Sequence, residues 1–307
     1  MADELHLDEF QAYLLAEDRS PVTIAGYVGD VRLFAQWFEK QSREPLTPGA
    51  LSNEAVRGYK QYLLDQANKP KTINRRLAAL AAYAHWLEEA SYVKNARNPV
   101  QGVKAVREMA LAPKWLDKKQ RATLLRAVDK EVEDAVHRYP RLRLMYLRDA
   151  AIVKLILYAG LRVGEIIQLR MSDLFLDERK GSVVVREGKG TKRREIPLSA
   201  RARKAILDYL RVKPEVESEY LFLGQRNEAI QSKTVQRAVG RFTESTDLKD
   251  VTPHTLRHTF AKSLIDSGVS LDKVATLLGH SNLNTTRIYT TPGVQDLEDA
   301  IGELDNN

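Results

Sequence analysis

The sequence has 307 residues and no cysteine, which excludes disulfides, thiolate nucleophiles and cysteine-ligated zinc. The formal net charge is +7, and the basic excess lies after residue 112, which suits either a polyanionic partner or a solvated basic face. No apolar run could cross a bilayer and the first residues, MADELHLDEF, are acidic, so we expect a cytoplasmic protein that is neither exported nor membrane-bound.

The N-terminal part of the chain shows helical periodicity. SPVTIAGYVGDVRLFAQWFEK predicts a helix that Ser20 caps and Pro21 begins. SNEAVRGYKQYLLDQ and KTINRRLAALAAYAHWLEE predict two more helices. Near the exposed start of the third helix lies a basic corner, formed by Lys69, Lys71, Arg75 and Arg76. We therefore predict a small helical domain over residues 1–108 with a basic corner.

A change in composition separates this domain from the rest. NPVQGVKAVREMALAPKWL has proline, glycine and lysine without periodicity, which predicts a linker at residues 109–113. A second domain then covers residues 114–307. It begins with the helices DKKQRATLLRAV and LRDAAIVKLILYAG, and the second of these is apolar enough to be buried on all sides.

The motif AGLRVGEIIQLR places Arg162 at the entrance of a helix. An arginine there adds its bidentate fork to unpaired backbone N–H groups, a combination that suits a phosphate. An ordinary surface arginine is the alternative.

GSVVVREGKGTKRREIPLS predicts a β-hairpin, with strand cores at 183–185 and 196–198. Lys189 lies at its tip, where it either reaches a phosphate and gives up a proton or serves as a solubilising turn residue. The basic run that follows predicts contacts with a duplex backbone from Lys192, Arg193 and Arg194.

In TPHTLRHTFAKSLIDSG, Thr252 is predicted to cap a helix that Pro253 begins. His254 and Arg257 share one helical face and can point at one oxyanion. His258 follows His254 by one turn, but a zinc site needs a third ligand and HTLRH lacks the glutamate of the helical zinc motif. We therefore expect His258 to be structural.

The stretch LLGHSNLNTTRIYTTP predicts a short helix that ends at Gly279, followed by His280 and, after a polar segment, Tyr289. A single tyrosine is usually structural. Beyond it, an apolar stripe in the acidic tail predicts a further helix; its members are Val294, Leu297, Ile301 and Leu304. So short a helix must dock, either on its own domain or on another subunit.

Five motifs therefore follow one another: GLRVGE, GKGTKRREIPL, PHTLRHTFA, LLGHS and TTRIYT. Together they resemble the ordered motifs of the tyrosine recombinase (phage integrase) family, especially its Xer-like members. SPVTIAGYVGDVRLFAQWF and TINRRLAALAAYAHWL resemble the family's core-binding domain. The resemblance implies a mainly α fold with a small β-sheet, in which a SAM-like helical bundle and a mixed α+β catalytic domain form a C-shaped clamp on DNA.

The resemblance also implies an active site. The residues that match the catalytic positions are Arg162, Lys189, His254, Arg257, His280 and Tyr289, with Glu165 in support. The two arginines would clamp a phosphodiester that the tyrosine attacks, with His254 as proton acceptor. Lys189 would protonate the leaving 5′ oxygen, His280 would hydrogen-bond the phosphate, and Glu165 would hold the geometry.

The implied reaction cuts and rejoins DNA through a 3′-phosphotyrosine, without metal, cofactor or ATP. The implied partner is double-stranded DNA at inverted-repeat core sites, whose phosphates would be contacted by the basic corner of Lys69, Lys71, Arg75 and Arg76. The chain is also expected to form a homotetramer on two DNA sites by exchanging its C-terminal tail, and to lie in the cytoplasm in association with the nucleoid. The role is either chromosome-dimer resolution or movement of an element. A type IB topoisomerase and a catalytically silent DNA-binding protein are the alternatives, and a metal-dependent nuclease is disfavoured.

Overall fold

The structure is a computed structural model that describes residues 5–93, 98–108, 113–186, 193–279 and 284–290. The chain divides into two compact units, Met1–Leu111 and Ala112–Asn307. Within the described residues, the predicted class is confirmed, because both units are mainly helical and the second carries a small sheet. In the same part of the chain, no helix is both long and apolar enough to cross a membrane.

The N-terminal unit is a helical bundle. Its helices are α1 (Leu7–Ala16), α2 (Pro21–Ser42), α3 (Asn53–Asp65) and α4 (Pro70–Glu89). The predicted cap of α2 is confirmed, since the Thr23 backbone N–H donates to Ser20 Oγ at 3.1 Å and Pro21 begins the helix. Helix α1 was not predicted. It packs Phe10 against Tyr83 of α4, with ring centroids 5.1 Å apart.

The C-terminal unit surrounds one central helix. Its helices are α5 (Lys118–Arg138), α6 (Arg143–Ala159), α7 (Val163–Gln168), α8 (Ala200–Leu210), α9 (Ser232–Glu244), α10 (Pro253–Asp266), α11 (Leu271–Leu278) and α12 (Asn284–Arg287). Helix α6 contacts α5, α8, α9 and α10, and most of its residues are buried, as its apolar sequence predicts. Gly160 caps the C-terminal end of this helix, two residues before Arg162, so the end of α6 sets the position of the first predicted phosphate ligand.

The predicted hairpin is confirmed as two antiparallel strands. The sheet consists of β1 (Leu174–Leu176), β2 (Gly181–Val185) and β3 (Arg194–Pro197), in the order β1, β2, β3. Val183 lies opposite Ile196, and Val185 opposite Arg194. Because alternate residues of a strand face opposite sides of the sheet, Arg194 shares the buried face of β3 with Ile196. The predicted tip residue Lys189 lies outside the described residues.

Candidate active site

Arg257 is held at the base of the site by the backbone of two helix ends. Arg257 lies on α10, and the predicted cap of this helix is confirmed, since the Thr255 backbone N–H donates to Thr252 Oγ1 at 3.2 Å. The Arg257 side chain is buried and donates from Nη1 to the Gly160 carbonyl and from Nη2 to the Leu278 carbonyl, the latter at 2.7 Å. These bonds aim the guanidinium between the C-terminal ends of α6 and α11.

Glycine is required where α6 ends. Gly160 has a φ of +65°, and a Cβ there would collide with the ring of Phe260. The glycine therefore lets the chain turn sharply from α6 into Arg162 while α10 packs closely behind it.

Arg162 and Glu165 form one unit at the start of α7. The Arg162 backbone N–H donates to Glu165 Oε2 at 2.8 Å, and Arg162 Nη1 donates to Glu165 Oε1 at 2.9 Å. The Arg162 side chain keeps about a third of its surface exposed, whereas that of Glu165 keeps 9%. Arg162 is thus exposed to solvent on one side and held by a buried carboxylate on the other.

The predicted contact of Arg194 with a duplex backbone is wrong. Its side chain is only 6% exposed, since it points from the buried face of β3 into the domain. Nη1 and Nη2 donate to the two oxygens of Glu165 at 3.0 and 2.8 Å, and Nε donates to the Leu277 carbonyl at 2.8 Å. Arg194 therefore belongs to the interior of the candidate site. Arg193 is exposed, and Lys192 lies outside the described residues.

Three guanidinium groups bind the C-terminal end of α11. The carbonyls of Leu277, Leu278 and Gly279 accept from Arg194, Arg257 and Arg162, in that order. The last carbonyls of a helix lack intrahelical partners and carry partial negative charge, so cations stabilise them. The end of α11 is thereby fixed beside all three arginines.

The charge state of this network follows from its burial. Burial raises the pKa of Glu165, but hydrogen bonds from Arg194 and from the Arg162 backbone outweigh it and leave the pKa below its ordinary value. Burial, together with the nearby Arg162, lowers the pKa of Arg257 to about 10. At neutral pH the Glu165 carboxylate is charged, and because it faces three guanidinium groups, the cluster has an excess of positive charge suited to a phosphate.

Tyr289 packs against α10 and α11. Its side chain is 2% exposed and packs with Phe260, Val274 and Leu278. Burial raises the pKa of the Tyr289 phenol, while Arg257 and Arg162 act to lower it. The structure therefore brings the predicted nucleophile within the electrostatic reach of both predicted phosphate ligands.

His258 contacts the predicted nucleophile, a pairing that the sequence interpretation did not include. Its Nδ1 lies 2.7 Å from the Tyr289 hydroxyl. Burial, then His254 and Arg257, lower the pKa of His258 to about 4, so the ring is neutral at neutral pH. A neutral ring nitrogen can accept the phenol's proton in a hydrogen bond. The position of His258 directly after Arg257, in a motif rich in site residues, was the available signal.

The remaining predicted site residues are placed only in part. His254 lies on the exposed face of α10, and its ring centroid is 6.4 Å from that of His258. Lys189 and His280 lie outside the described residues. Among the residues that are described, no three histidine, aspartate or glutamate side chains are grouped so that they could hold a metal ion.

The basic corner of the N-terminal unit needs one revision. Lys69, Lys71 and Arg75 are exposed, and Arg75 is paired with the buried Asp30. Arg76 is only 19% exposed, lies 3.7 Å from Asp30 and donates to the Tyr59 hydroxyl at 3.2 Å. Because its guanidinium lies within the bundle, the predicted phosphate contact of Arg76 is replaced by a role in packing α4 against α2 and α3.

The fold and the site together define a class of protein. A buried tyrosine beside two arginines that share one carboxylate is an arrangement for nucleophilic attack on a phosphodiester. The sequence profile described as "Phage integrase family" matches residues 114–295, and that described as "Phage integrase, N-terminal SAM-like domain" matches residues 7–91. The chain belongs to the phage integrase family.

Several known proteins are similar along nearly their whole length. Tyrosine recombinase XerC of Corynebacterium glutamicum is 31% identical, covering 92% of this chain and 86% of the relative. Tyrosine recombinase XerA of Thermococcus kodakarensis is 32% identical, covering 96% and 93%. The structure of the Tn1549 transposon integrase in complex with transposon right end DNA superposes with a TM-score of 0.71 at 18% identity, covering 97% of this chain and 99% of that one, and so supports the fold.

Proposed function

We propose that this protein is a site-specific DNA recombinase that cuts and rejoins DNA strands through a 3′-phosphotyrosine. The observation that carries the proposal is that Arg162 and Arg257 are both held by Glu165 and by the end of α11. Tyr289 packs against α10, which carries Arg257, and against α11. Relatives that are named tyrosine recombinases support it.

The proposed chemistry exchanges one phosphate ester bond for another. The Tyr289 oxygen attacks phosphorus, the bond to the 5′ oxygen breaks, and Lys189 supplies the proton that this oxygen takes up. Arg162 and Arg257 stabilise the added charge on the non-bridging oxygens, and His280 adds a hydrogen bond. His254 takes the phenol's proton once the hydroxyl has left His258. Attack by a 5′ hydroxyl of the partner strand reverses the step, so no ATP is consumed.

Mapping of covalent protein–DNA junctions on DNA from the source cell tests this proposal. We expect tyrosine joined to 3′ phosphate, free 5′ hydroxyls, and junctions confined to sites flanked by inverted repeats. Rejoining between two sites should persist in EDTA. Relaxation of supercoils without pairing of two sites would instead identify a type IB topoisomerase, and binding without covalent junctions would identify a silent DNA-binding protein.

Salt should weaken DNA binding steeply, because cations of both units are proposed to displace counterions from phosphates. The contacts proposed are Lys69, Lys71, Arg75, Lys192 and Arg193. Lys69→Gln and Lys71→Gln should each reduce the slope of log affinity against log salt by about 1. Lys40→Gln, an exposed lysine at the end of α2, is the matched control and should leave the slope unchanged. A binding constant that does not vary with salt contradicts these contacts.

We further propose that the chain assembles as a tetramer on two DNA sites, with its tail docked on a neighbouring subunit. The tail is acidic as well as apolar; its acidic residues are Asp296, Glu298, Asp299, Glu303 and Asp305. A groove between α5, α6 and α8 has an apolar floor that includes Leu125, Leu147 and Ala205. Its rim carries six basic side chains against three acidic ones, which complements the tail.

Deletion of the residues after Gly293 should leave single-site binding nearly unchanged and reduce recombination between two sites on the order of a hundredfold, the scale of a lost multivalent contact. Arg126→Glu, on the rim of the groove, should reduce recombination in the same direction. Arg179→Glu, in the exposed turn between β1 and β2, is the charge-matched control. Gel-shift assays of synapsis and of strand exchange measure both effects. A truncated protein that recombines at the full-length rate excludes this role for the tail.

A further inference from the structure

All three nitrogens of the Arg194 guanidinium donate to groups that also contact Arg162 or lie next to a carbonyl that binds Arg257. It donates to both oxygens of Glu165 and to the Leu277 carbonyl. Its side chain is 6% exposed, so it does not reach a DNA backbone from this position. None of its donors serves the sheet from which it projects.

Glu165 connects Arg194 to Arg162 and Arg257, because its carboxylate lies close to all three guanidinium groups. Oε1 accepts from Arg162 Nη1 at 2.9 Å, and Oε2 lies 3.9 Å from Arg257 Nη1. The carboxylate is therefore shared by three guanidinium groups, which come from α7, β3 and α10. If the carboxylate rotated, the hydrogen bond that orients Arg162 would be lost.

Gly279 provides an independent sign that this geometry is fixed. Its φ is +64°, and a Cβ at this position would lie 2.6 Å from Arg194 Nη1. The backbone of Gly279 thus lies directly against the Arg194 guanidinium, and its own carbonyl accepts from Arg162 Nη2 at 3.2 Å. A side chain at residue 279 would displace the Arg194 fork.

We propose that Arg194 is a positioning residue for DNA cleavage, which holds Glu165 and the end of α11 so that Arg162 and Arg257 meet the phosphodiester in the correct orientation. The inference rests on the proposed function. Charge alone does not account for the residue, because a third cation beside Arg162 and Arg257 repels both. Its contribution is the planar fork, which a lysine cannot supply.

The test measures single-turnover cleavage of a nicked DNA site, so that binding and cleavage are separated. Arg194→Lys and Arg194→Gln should each lower the rate at saturating DNA by about ten- to a hundredfold, the scale for misplaced catalytic groups. The DNA concentration that gives half of the maximal rate should change by less than about threefold. Arg211→Gln, an arginine 73% exposed on the same domain, is the matched control.

A pH profile distinguishes positioning from a general loss of structure. The charged groups that face Glu165 are Arg162, Arg194 and Arg257, and hydrogen bonding from Arg194 acts to lower the Glu165 pKa. Without Arg194 this pKa rises, so the carboxylate is protonated at a higher pH as the solution is acidified. The pH at which cleavage falls off on the acid side should therefore move upward in Arg194→Gln.

The possible outcomes are distinct. A variant that cleaves at the wild-type rate with an unchanged acid limb overturns the proposal, as does full rescue by Arg194→Lys. A loss confined to DNA affinity also overturns it and supports instead the interpretation that Arg194 contacts the duplex backbone. If both Arg194 variants fail to fold, Gly279→Ala decides the matter: a lowered cleavage rate supports the proposal and an unchanged rate overturns it. Inactivity of the wild-type protein on every DNA site would instead contradict the proposed function.

Discussion

Tyr289→Phe is expected to abolish covalent attachment to DNA while leaving binding to the site intact. Phenylalanine retains the ring that packs against Phe260 and Leu278 and removes only the oxygen that attacks phosphorus. Denaturing gels of the protein on a nicked site measure the attachment, and native gels measure binding.

The matched control is Tyr92→Phe, which removes a phenol that donates to Glu9 at 2.7 Å in the N-terminal unit. This variant should form covalent complexes at the wild-type level. Covalent complexes trapped by Tyr289→Phe would show that another residue is the nucleophile.

Arg162→Ala and Arg257→Ala should each slow cleavage on the order of a hundredfold or more, about 2.7 kcal/mol of transition-state stabilisation. Each guanidinium is proposed to neutralise charge on the non-bridging oxygens, and lysine should substitute poorly because it lacks the fork. Single-turnover cleavage at saturating DNA measures the effect. A rate within about threefold of wild type, roughly 0.65 kcal/mol, contradicts the assignment.

Arg257 also has a structural role that this experiment must separate. Its removal leaves the Gly160 and Leu278 carbonyls without a buried donor, a loss of about 1 to 3 kcal/mol per unsatisfied group. We therefore expect a lower melting temperature for Arg257→Ala than for Arg162→Ala, because Arg162 is partly exposed. Cleavage is compared well below both melting temperatures, so that only the folded protein contributes.

Sequence patterns predicted the parts of this structure that depend on local physics. The Ser20 and Thr252 caps, the buried helix before Gly160 and the paired strands were predicted because each signal lies within a few residues. Strand β1 has only three residues, too few for a recognisable alternation. Helix α1 buries Leu7, Phe10 and Leu14 at helical spacing, so its signal was present in the sequence and was missed.

The site was predicted less completely, because its decisive contacts join distant parts of the chain. Arg194 follows two other basic residues and was interpreted as one surface run, although strand alternation places it on the same face as Ile196 and Leu198. Strand alternation therefore predicted a buried Arg194, but the run of three basic residues was given more weight. The bond from His258 to Tyr289 spans 31 positions and depends on how α10 meets the following segment, which no local pattern contains.

The concealment of Tyr289 has a kinetic consequence. The Tyr289 side chain is 2% exposed and its hydroxyl is bonded to His258, so the proposed attack on a phosphodiester requires that this bond break and the side chain become accessible, which defines an open conformer. The observed cleavage rate is then the intrinsic rate multiplied by the fraction of open molecules, and an open fraction of about 1% would slow cleavage about a hundredfold. Any contact that favours the open conformer accelerates cleavage without altering a single phosphate ligand.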